Sequence, residues 1–330
     1  MIKTFENLGK NDSLIAGGKG ASLGEMTSYF AKASQDKNAH NPIPPGFVVL
    51  SSAFEFFIKE TDLIQEIDAT LARVNHKEME SVERASENIR ELIESATMPK
   101  SLEKDIVSAF KNLDAEFVAV RSSATAEDGA EHAWAGQLDS FLNTTKKDLI
   151  KNIKRCFSSL FTPRAIFYRF EKGLHDSHIS VAVVVQKMVQ SEKSGIAFSV
   201  HPVTEDRNQM IIEGSWGLGE AIVSGQVTPD SYVVLKDSKE ILDINIAEKT
   251  RGIFKSKSGE NRWQDIDEKK ANEQCLSDKE ILELAELIIK IENHYGFPCD
   301  IEWAYACSEQ GRGNKGKFYI TQSRPITTLK

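Results

Sequence analysis

The chain has 330 residues, 40% of them hydrophobic and 27% charged, with a formal net charge of −8. That length suits two lobes better than one core, since single cores stop growing at roughly 250–300 residues, and the balance of residues is that of a soluble globular protein. The negative charge argues against a nucleic-acid or anionic-membrane partner. The opening MIKTFENLGKND lacks a leader pattern and no run reaches the ~18 apolar residues of a span, so a cytoplasmic location is expected.

The first motif in chain order is GGKGASLGEM, Gly17 to Met26. Its glycines permit a tight turn and close backbone approach, while Leu23 and Met26 begin a helical pattern, so Lys19 falls beside a helix N-terminus. The spacing is not that of a Walker A loop, and a lysine on a solvated surface loop remains the alternative. NPIPPGFVVLSSAFEFFI, Asn41 to Ile58, predicts a proline-braced loop, a strand over Phe47 to Leu50, and a helix started by a Ser52–Glu55 capping box. Charged, helical sequence follows from Thr61 to Leu113, with Met79, Val82, Ile89, Leu92 and Ile93 at helical spacing and a break at Pro99.

The stretch FVAVRSSATAEDGAEHAWAGQLDSF, Phe117 to Phe141, carries more chemistry. Phe117 to Val120 predicts a short buried strand ending at Arg121. A guanidinium fork next to the hydroxyls of Ser122, Ser123 and Thr125 suits phosphate oxygens, although Ser, Thr and Gly clusters are also ordinary turn chemistry. RSSATAED followed by AGQ resembles the phosphate-covering loop of the phosphoenolpyruvate synthase and pyruvate phosphate dikinase family, whose ATP-binding domain has the ATP-grasp fold. GGKGASLGEM and PPGFVV match the same family's signatures. The resemblance implies that Lys19 and Arg121 contact nucleotide phosphates and that Gly136 and Ser140 also contact the nucleotide. The loop departs from the usual pattern at Gly129-Ala130-Glu131-His132-Ala133-Trp134, where relatives have a proline and Ser-Phe.

Lys146 to Phe161 predicts an amphipathic helix, and Pro163 suits the first turn of another through Lys172. FTPRAIFYR resembles the family's sequence here, and Arg164 and Arg169 are read as scaffold. The apolar run Val181 to Val189 is interrupted by one amide, Gln186, which either pairs within the core or meets the polar edge of a flat ligand. By the resemblance, Gln186 and Met188 border adenine. A second lobe is expected from Gln190, with strands in SGIAFSVHP and in QMIIEGSWGLGEAIVSGQVTPDSYVV, where GSWGLGE makes a tight bend before a short helix. Val233 to Lys270 predicts hairpins with a polar tip near Lys255 to Gly259. Ser277 to Tyr295 predicts a core helix, boxed by Ser277 with Glu280 and closed by Gly296, with an apolar stripe of Ile281, Leu284, Ile288, Ile291 and Tyr295. Cys156, Cys275, Cys299 and Cys307 have no metal-like spacing and are read as reduced, mostly packed thiols.

In CDIEWAYA, alternation puts Asp300 and Glu302 on one face with Ile301 and Trp303 on the other; in FYITQSRPITTL it groups Gln322 with Arg324, which Pro325 keeps extended. Oxygen donors opposite an arginine fit a magnesium ion bound partly by protein and partly by phosphates, while a Glu302–Arg324 salt bridge would be the structural alternative. DIEW and QSRP also resemble the family's sequence. They imply Glu302 and Gln322 as magnesium ligands and Arg324 as a phosphate contact beside Lys19 and Arg121.

The resemblance runs from Leu8 to Leu329. It implies an α+β, ATP-grasp fold of two lobes, 1–189 and 190–330, with ATP and Mg2+ in the cleft between them. The implied reaction is phosphoryl transfer from ATP to a histidine carrier domain, for later passage to pyruvate or a related small-molecule acceptor. Relatives carry that histidine in a Thr- and Gly-rich context that none of the seven histidines here shares, so the carrier is expected on another chain or in a longer parent protein. A rifampicin-type antibiotic phosphotransferase, a direct small-molecule kinase and a nucleotide-sensing module are the alternatives.

Overall fold

The structure is a computed structural model that describes residues 1–33, 40–125, 139–173, 179–256, 259–307, 316–327 and 329. Its mixed α and β elements separate into two compact units, one of Met1–Ser28 with Pro45–Met188 and one of Tyr29–Pro44 with Val189–Lys330. Residues 29–44 thus group with the second unit, a discontinuity that the order of motifs does not reveal.

The first unit opens with β1 (Ile2–Thr4) and α1 (Ser13–Ala33), whose last residues pass into the second unit. It continues with β2 (Gly46–Val49), α2 (Ser51–Glu60), α3 (Ile64–Leu71), α4 (Met79–Ser95) and α5 (Lys100–Asn112). β3 (Val118–Ala124), β4 (Ser140–Thr144), α6 (Leu149–Ser158), α7 (Pro163–Glu171) and β5 (Val181–Lys187) complete it. The strands form one antiparallel sheet in the order β1-β2-β5-β3-β4. Alternation sends Val118, Val120 and Ala124 of β3 and Val181, Val183 and Val185 of β5 to one face. There they join Phe54 and Phe57 of α2, Ile89 and Ile93 of α4, Leu102 and Ile106 of α5, and Ile153 and Phe157 of α6 in a single core. Met79, at the start of α4, is exposed instead of joining that stripe.

Two local expectations change. β3 does not stop at Arg121 but pairs with β5 through Ala124 opposite Val181, because the β-branched run of β5 offers a ladder along its whole length. The helix after β2 starts at Ser51 with Leu50 as its cap, and its first turn has no side-chain cap bond, so the Ser52–Glu55 box does not form. The proline-led α7 is capped as its sequence implies, with Thr162 Oγ1 accepting from the Ala165 N–H at 3.2 Å.

The second unit carries β6 (Lys193–Phe198), β7 (Gln209–Trp216), α8 (Glu220–Val223), β8 (Asp230–Leu235) and β9 (Glu240–Asn245). A separate hairpin of β10 (Arg251–Lys255) and β11 (Asn261–Asp265) follows, then α9 (Glu268–Ala271), α10 (Asp278–Tyr295), β12 (Cys299–Ala306) and β13 (Lys317–Pro325). Six strands make an antiparallel sheet in the order β13-β12-β6-β7-β8-β9. The Ser277–Glu280 capping box forms at the start of α10, and Gly296 ends it with a left-handed φ of 75°. The face of Ile301, Trp303, Ala197, Met210, Ile212, Tyr232 and Val234 is buried together with the α10 stripe Ile281, Leu284, Ile288 and Ile291. Gly195 and Gly214 leave room for the Trp303 indole, since a Cβ would stand 2.7 Å and 3.1 Å from its ring. Among the described residues, no helix is long and apolar enough to cross a membrane.

Candidate nucleotide site

In the first unit, α1 is interrupted at Gly17, whose φ of 67° and ψ of 170° lie outside the helical region. A Cβ there would come within 2.5 Å of the Ser123 carbonyl oxygen, so only glycine lets this turn pack onto the end of β3. Helical geometry resumes after Gly17, which puts the half-buried Lys19 in a first turn, where backbone N–H groups lack intrahelical partners. Gly20, one residue on, lies against Val48 of β2, where a Cβ would stand 3.1 Å from the valine methyl. The glycines of this motif therefore hold the turn that carries Lys19 against the sheet.

One face of that sheet gathers other candidates of the first unit. In register, Val48 faces Val184, Val184 faces Arg121, and Arg121 faces Ser140, while Gly46 and Ala119 flank Gln186. Directly opposed residues share a face, and Arg121 and Gln186 are diagonal neighbours on it. Arg121 Nη1 donates to Gln186 Oε1 at 3.5 Å, a weak bond. Gln186 is 1% exposed and Ser140 is exposed. Met188 lies one ladder step beyond, half-buried, its N–H donating to the Phe117 carbonyl at 3.0 Å. Arg121, Ser140 and Gln186 thus share one face, with Lys19 in the turn that packs on it and Met188 just past the end of β5, while Gly136 and the variant segment containing His132 lie outside the described residues.

The hydroxyls expected beside Arg121 are used differently. Ser122 Oγ donates to the Asp139 carbonyl at 2.8 Å, and Thr125 Oγ1 donates to the Ser180 carbonyl at 3.1 Å. Ser123 Oγ is buried against Gly17, without a hydrogen-bond partner among the described residues. Cys156 lies near Ser122 on the core side, where burial, reinforced by the Asp139 charge, pushes its thiol well above the ordinary range. It therefore stays an inert packed thiol, and no free cysteine here is paired with another.

In the second unit, β12 and β13 place Glu302 directly opposite Gln322 and Asp300 directly opposite Arg324. Gln322 Nε2 donates to Glu302 Oε1 at 3.0 Å. Arg324 donates through Nε and Nη2 to one oxygen of Asp300, at 2.9 and 2.7 Å. The arginine's ion-pair partner is therefore Asp300 and not Glu302. The ladder shifts by one residue just after Glu302, a bulge that leaves Thr321 on β13 without an opposite number. Asp300, which alternation already put on the face of Glu302, stands outside the implied ligand set, and the β12–β13 register makes it the partner of Arg324.

Glu302 offers a carboxylate and Gln322, once its amide is turned, a carbonyl oxygen, both hard donors at one point of the sheet. Among the described residues no group of three or more His, Cys, Asp or Glu could hold a metal. A pair this small fits an ion that takes one or two protein oxygens and completes its shell with phosphates and water, as magnesium does.

Residues 13–330 match the family described as the pyruvate phosphate dikinase, AMP/ATP-binding domain. The chain belongs to that family. Among similar proteins, the probable phosphoenolpyruvate synthase of Methanocaldococcus jannaschii is 45% identical over 336 residues, spanning 100% of this chain and 27% of the relative. The phosphoenolpyruvate synthase of Pyrococcus furiosus is 40% identical over 378 residues, covering 100% of this chain and 44% of its own length. The probable enzyme of Methanothermobacter thermautotrophicus is 42% identical, covering 99% and 46%. The chain thus spans less than half the length of the curated relatives it matches. It is an ATP-binding domain of the phosphoenolpyruvate synthase family, and its α+β architecture agrees with the family's ATP-grasp fold.

Proposed function

We propose that this domain binds Mg-ATP and donates a phosphoryl group to a histidine on a carrier domain, supplied by another chain or by a longer parent protein, for eventual transfer to pyruvate or a related acceptor. The observation that carries the reading is the paired rank on β12 and β13, where Glu302 faces Gln322 one step from an Arg324 held by Asp300. Structural ion pairs alone would not need an amide beside the second carboxylate.

In this reading Lys19 and Arg121 hold phosphate oxygens, Lys19 as a point charge at a helix start and Arg121 as a planar fork. Asp300 fixes Arg324 side-on, so its guanidinium meets phosphate in one orientation without an entropic search. Gln186 and Met188 border the base. Magnesium, held by Glu302 and Gln322, would neutralise charge that builds on the phosphates. Positioning and electrostatic stabilisation supply most of the catalysis in phosphoryl transfer, and the residues present are suited to both.

The test follows 32P from γ- and β-labelled ATP on the purified chain, with and without an added histidine-carrier domain from a phosphoenolpyruvate synthase. Label should move to the carrier histidine and not to the chain alone. Rapid labelling of pyruvate or another small acceptor with no carrier present would refute the relay in favour of a direct kinase.

A further inference from the structure

The side-on pairing of Arg324 with Asp300 is only as fixed as the start of β12, where Asp300 is the second residue. Strand ends fray unless something holds them. On the β13 side the hold is thin. Pro325 stands opposite Cys299 and has no N–H to give, and the bond there skips to Ile326, whose N–H donates to the Pro298 carbonyl at 2.9 Å. The β6 side does more. Its last register pair is Phe198 with Asp300, and Ser199, one residue on, donates its N–H to the Cys299 carbonyl at 2.9 Å. A regular antiparallel pair would return the bond to the Ser199 carbonyl. Here the Cys299 N–H donates instead to Ser199 Oγ, at 2.8 Å.

That hydroxyl is one link in a chain. Ser199 Oγ donates to Glu292 Oε1 at 3.0 Å, and Glu292 Oε2 accepts from Lys236 Nζ at 2.8 Å. Ser199 and Cys299 are fully buried, and the Lys236 and Glu292 side chains are largely so. Glu292 stands in the last turn of α10, where the negative end of the helix dipole disfavours an acid that has no partner. Its ion pair with Lys236 polarises the hydrogen bonds behind it. The residue after β8, the end of α10 and the end of β6 therefore converge on the first peptide of β12. Alternation puts Ser199 with Ala197, and Cys299 with Ile301, on the α10 side of the sheet and sends Asp300 to the other. The chain thus grips the backbone from the buried face and leaves the Asp300 carboxylate to Arg324.

We propose that Ser199, backed by Glu292 and Lys236, is a positioning residue for the phosphoryl-donor site: it fixes the backbone from which Asp300 holds Arg324, and so sets the direction in which the guanidinium meets phosphate. This rests on the reading of Arg324 as a phosphate contact. A small shift at the base of a long side chain moves its tip further, and a fork that must be re-ordered on binding gives up side-chain entropy that a held one does not. Ser199 acts through Arg324 alone, so its effect on the ligand vanishes when Arg324 is absent.

The experiment is a double-mutant cycle on the full chain, with Kd for Mg-ATP measured by calorimetry for Ser199→Ala, Arg324→Ala and the pair, each checked for folding. Ser199→Ala should weaken binding roughly three- to tenfold, yet weaken the Arg324→Ala chain by less than about twofold further. Glu292→Gln keeps an oxygen for the Ser199 hydroxyl while losing the ion pair. It should show a smaller loss with the same dependence on Arg324, which covers an alanine variant that fails to fold. A second readout needs no nucleotide: the Arg324 Nε–H resonance, identified by its loss in Arg324→Ala, should exchange with water slowly in wild type and several-fold faster in Ser199→Ala. Additive losses, unchanged affinity in both Ser199→Ala and Glu292→Gln, or unaltered Nε–H exchange would overturn the proposal. An Arg324→Ala chain that binds Mg-ATP as wild type does would remove the phosphate reading of Arg324, and the exchange measurement then reports on the Ser199 restraint by itself, so the two failures are told apart.

Discussion

Arg324 gives two N–H groups, Nε and Nη2, to a single oxygen of Asp300, at 2.9 and 2.7 Å, across directly paired positions of neighbouring strands. The arginine side chain is 39% exposed and the aspartate 14%, so the carboxylate acts as a fixed base on which the guanidinium turns outward. Arg324→Ala is expected to weaken Mg-ATP binding by about 1.5–3 kcal/mol, the range for hydrogen bonds to charged groups. Arg324→Lys should not restore it, because one ammonium cannot both dock side-on against Asp300 and present a fork to phosphate. Titration calorimetry on folded variants decides, and full affinity in the lysine variant would mean that charge alone matters at this position.

The weak bond between Arg121 and Gln186 ties a phosphate candidate to a base candidate. Gln186→Leu should therefore act in two ways, removing the amide from the base edge and loosening one side of Arg121. We expect ATP to weaken by roughly 1–3 kcal/mol and inorganic triphosphate by clearly less, since only the base loses its partner outright. Competition binding with the two ligands checks this, and equal losses would assign Gln186 to holding Arg121 alone.

Much of this was legible in the residues. The capped α10, the αL glycine that ends it, the strand of Gln186 and the alternation that groups Asp300 with Glu302 all follow from local pattern. What stayed hidden depends on pairing between distant segments. The extension of β3 past Arg121 needs the β5 ladder. The choice of Asp300 over Glu302 as the partner of Arg324 needs the β12–β13 register, which the bulge after Glu302 breaks. The family resemblance pointed to candidate motifs, but it could not show which side chains hold which.

Gly17 offers a test of how the GGKG turn is held. Its positive φ with extended ψ is a backbone region that is nearly closed to other residues, and a Cβ would overlap the Ser123 backbone. Gly17→Ala should cost at least ~1–3 kcal/mol from backbone strain alone, with the overlap adding to it. Chemical denaturation gives the loss of stability, and binding assays on the surviving fold should show Lys19 displaced, as weakened affinity for ATP and triphosphate alike. A variant of unchanged stability would mean that this turn re-forms freely and does not anchor Lys19.

The second unit also holds a fully buried ion pair that the site does not use. Lys249 Nζ meets Asp230 Oδ1 at 2.6 Å with both side chains at 0% exposure, and it also donates to the Ala247 carbonyl at 2.8 Å. Asp230 further accepts from the Ala247 N–H at 2.9 Å, the Tyr232 hydroxyl at 3.0 Å and the Cys275 N–H at 2.7 Å, so one carboxylate ties β8 to the segment after β9 and to the lead into α10. Around it, burial and the aspartate's charge push the Tyr232 hydroxyl up and the Cys275 thiol up to about 12. Breaking such a pair by removing one partner strands the other charge in the interior, at a cost of about 3–5 kcal/mol. Asp230→Ala should be the more damaging change, because it also orphans two backbone N–H groups and a hydroxyl, whereas Lys249→Met fills the same space and leaves Asp230 three of its four donors. Denaturant titrations should rank wild type above Lys249→Met and Lys249→Met above Asp230→Ala. The reverse order would show that the lysine, and not the aspartate network, organises this end of the sheet.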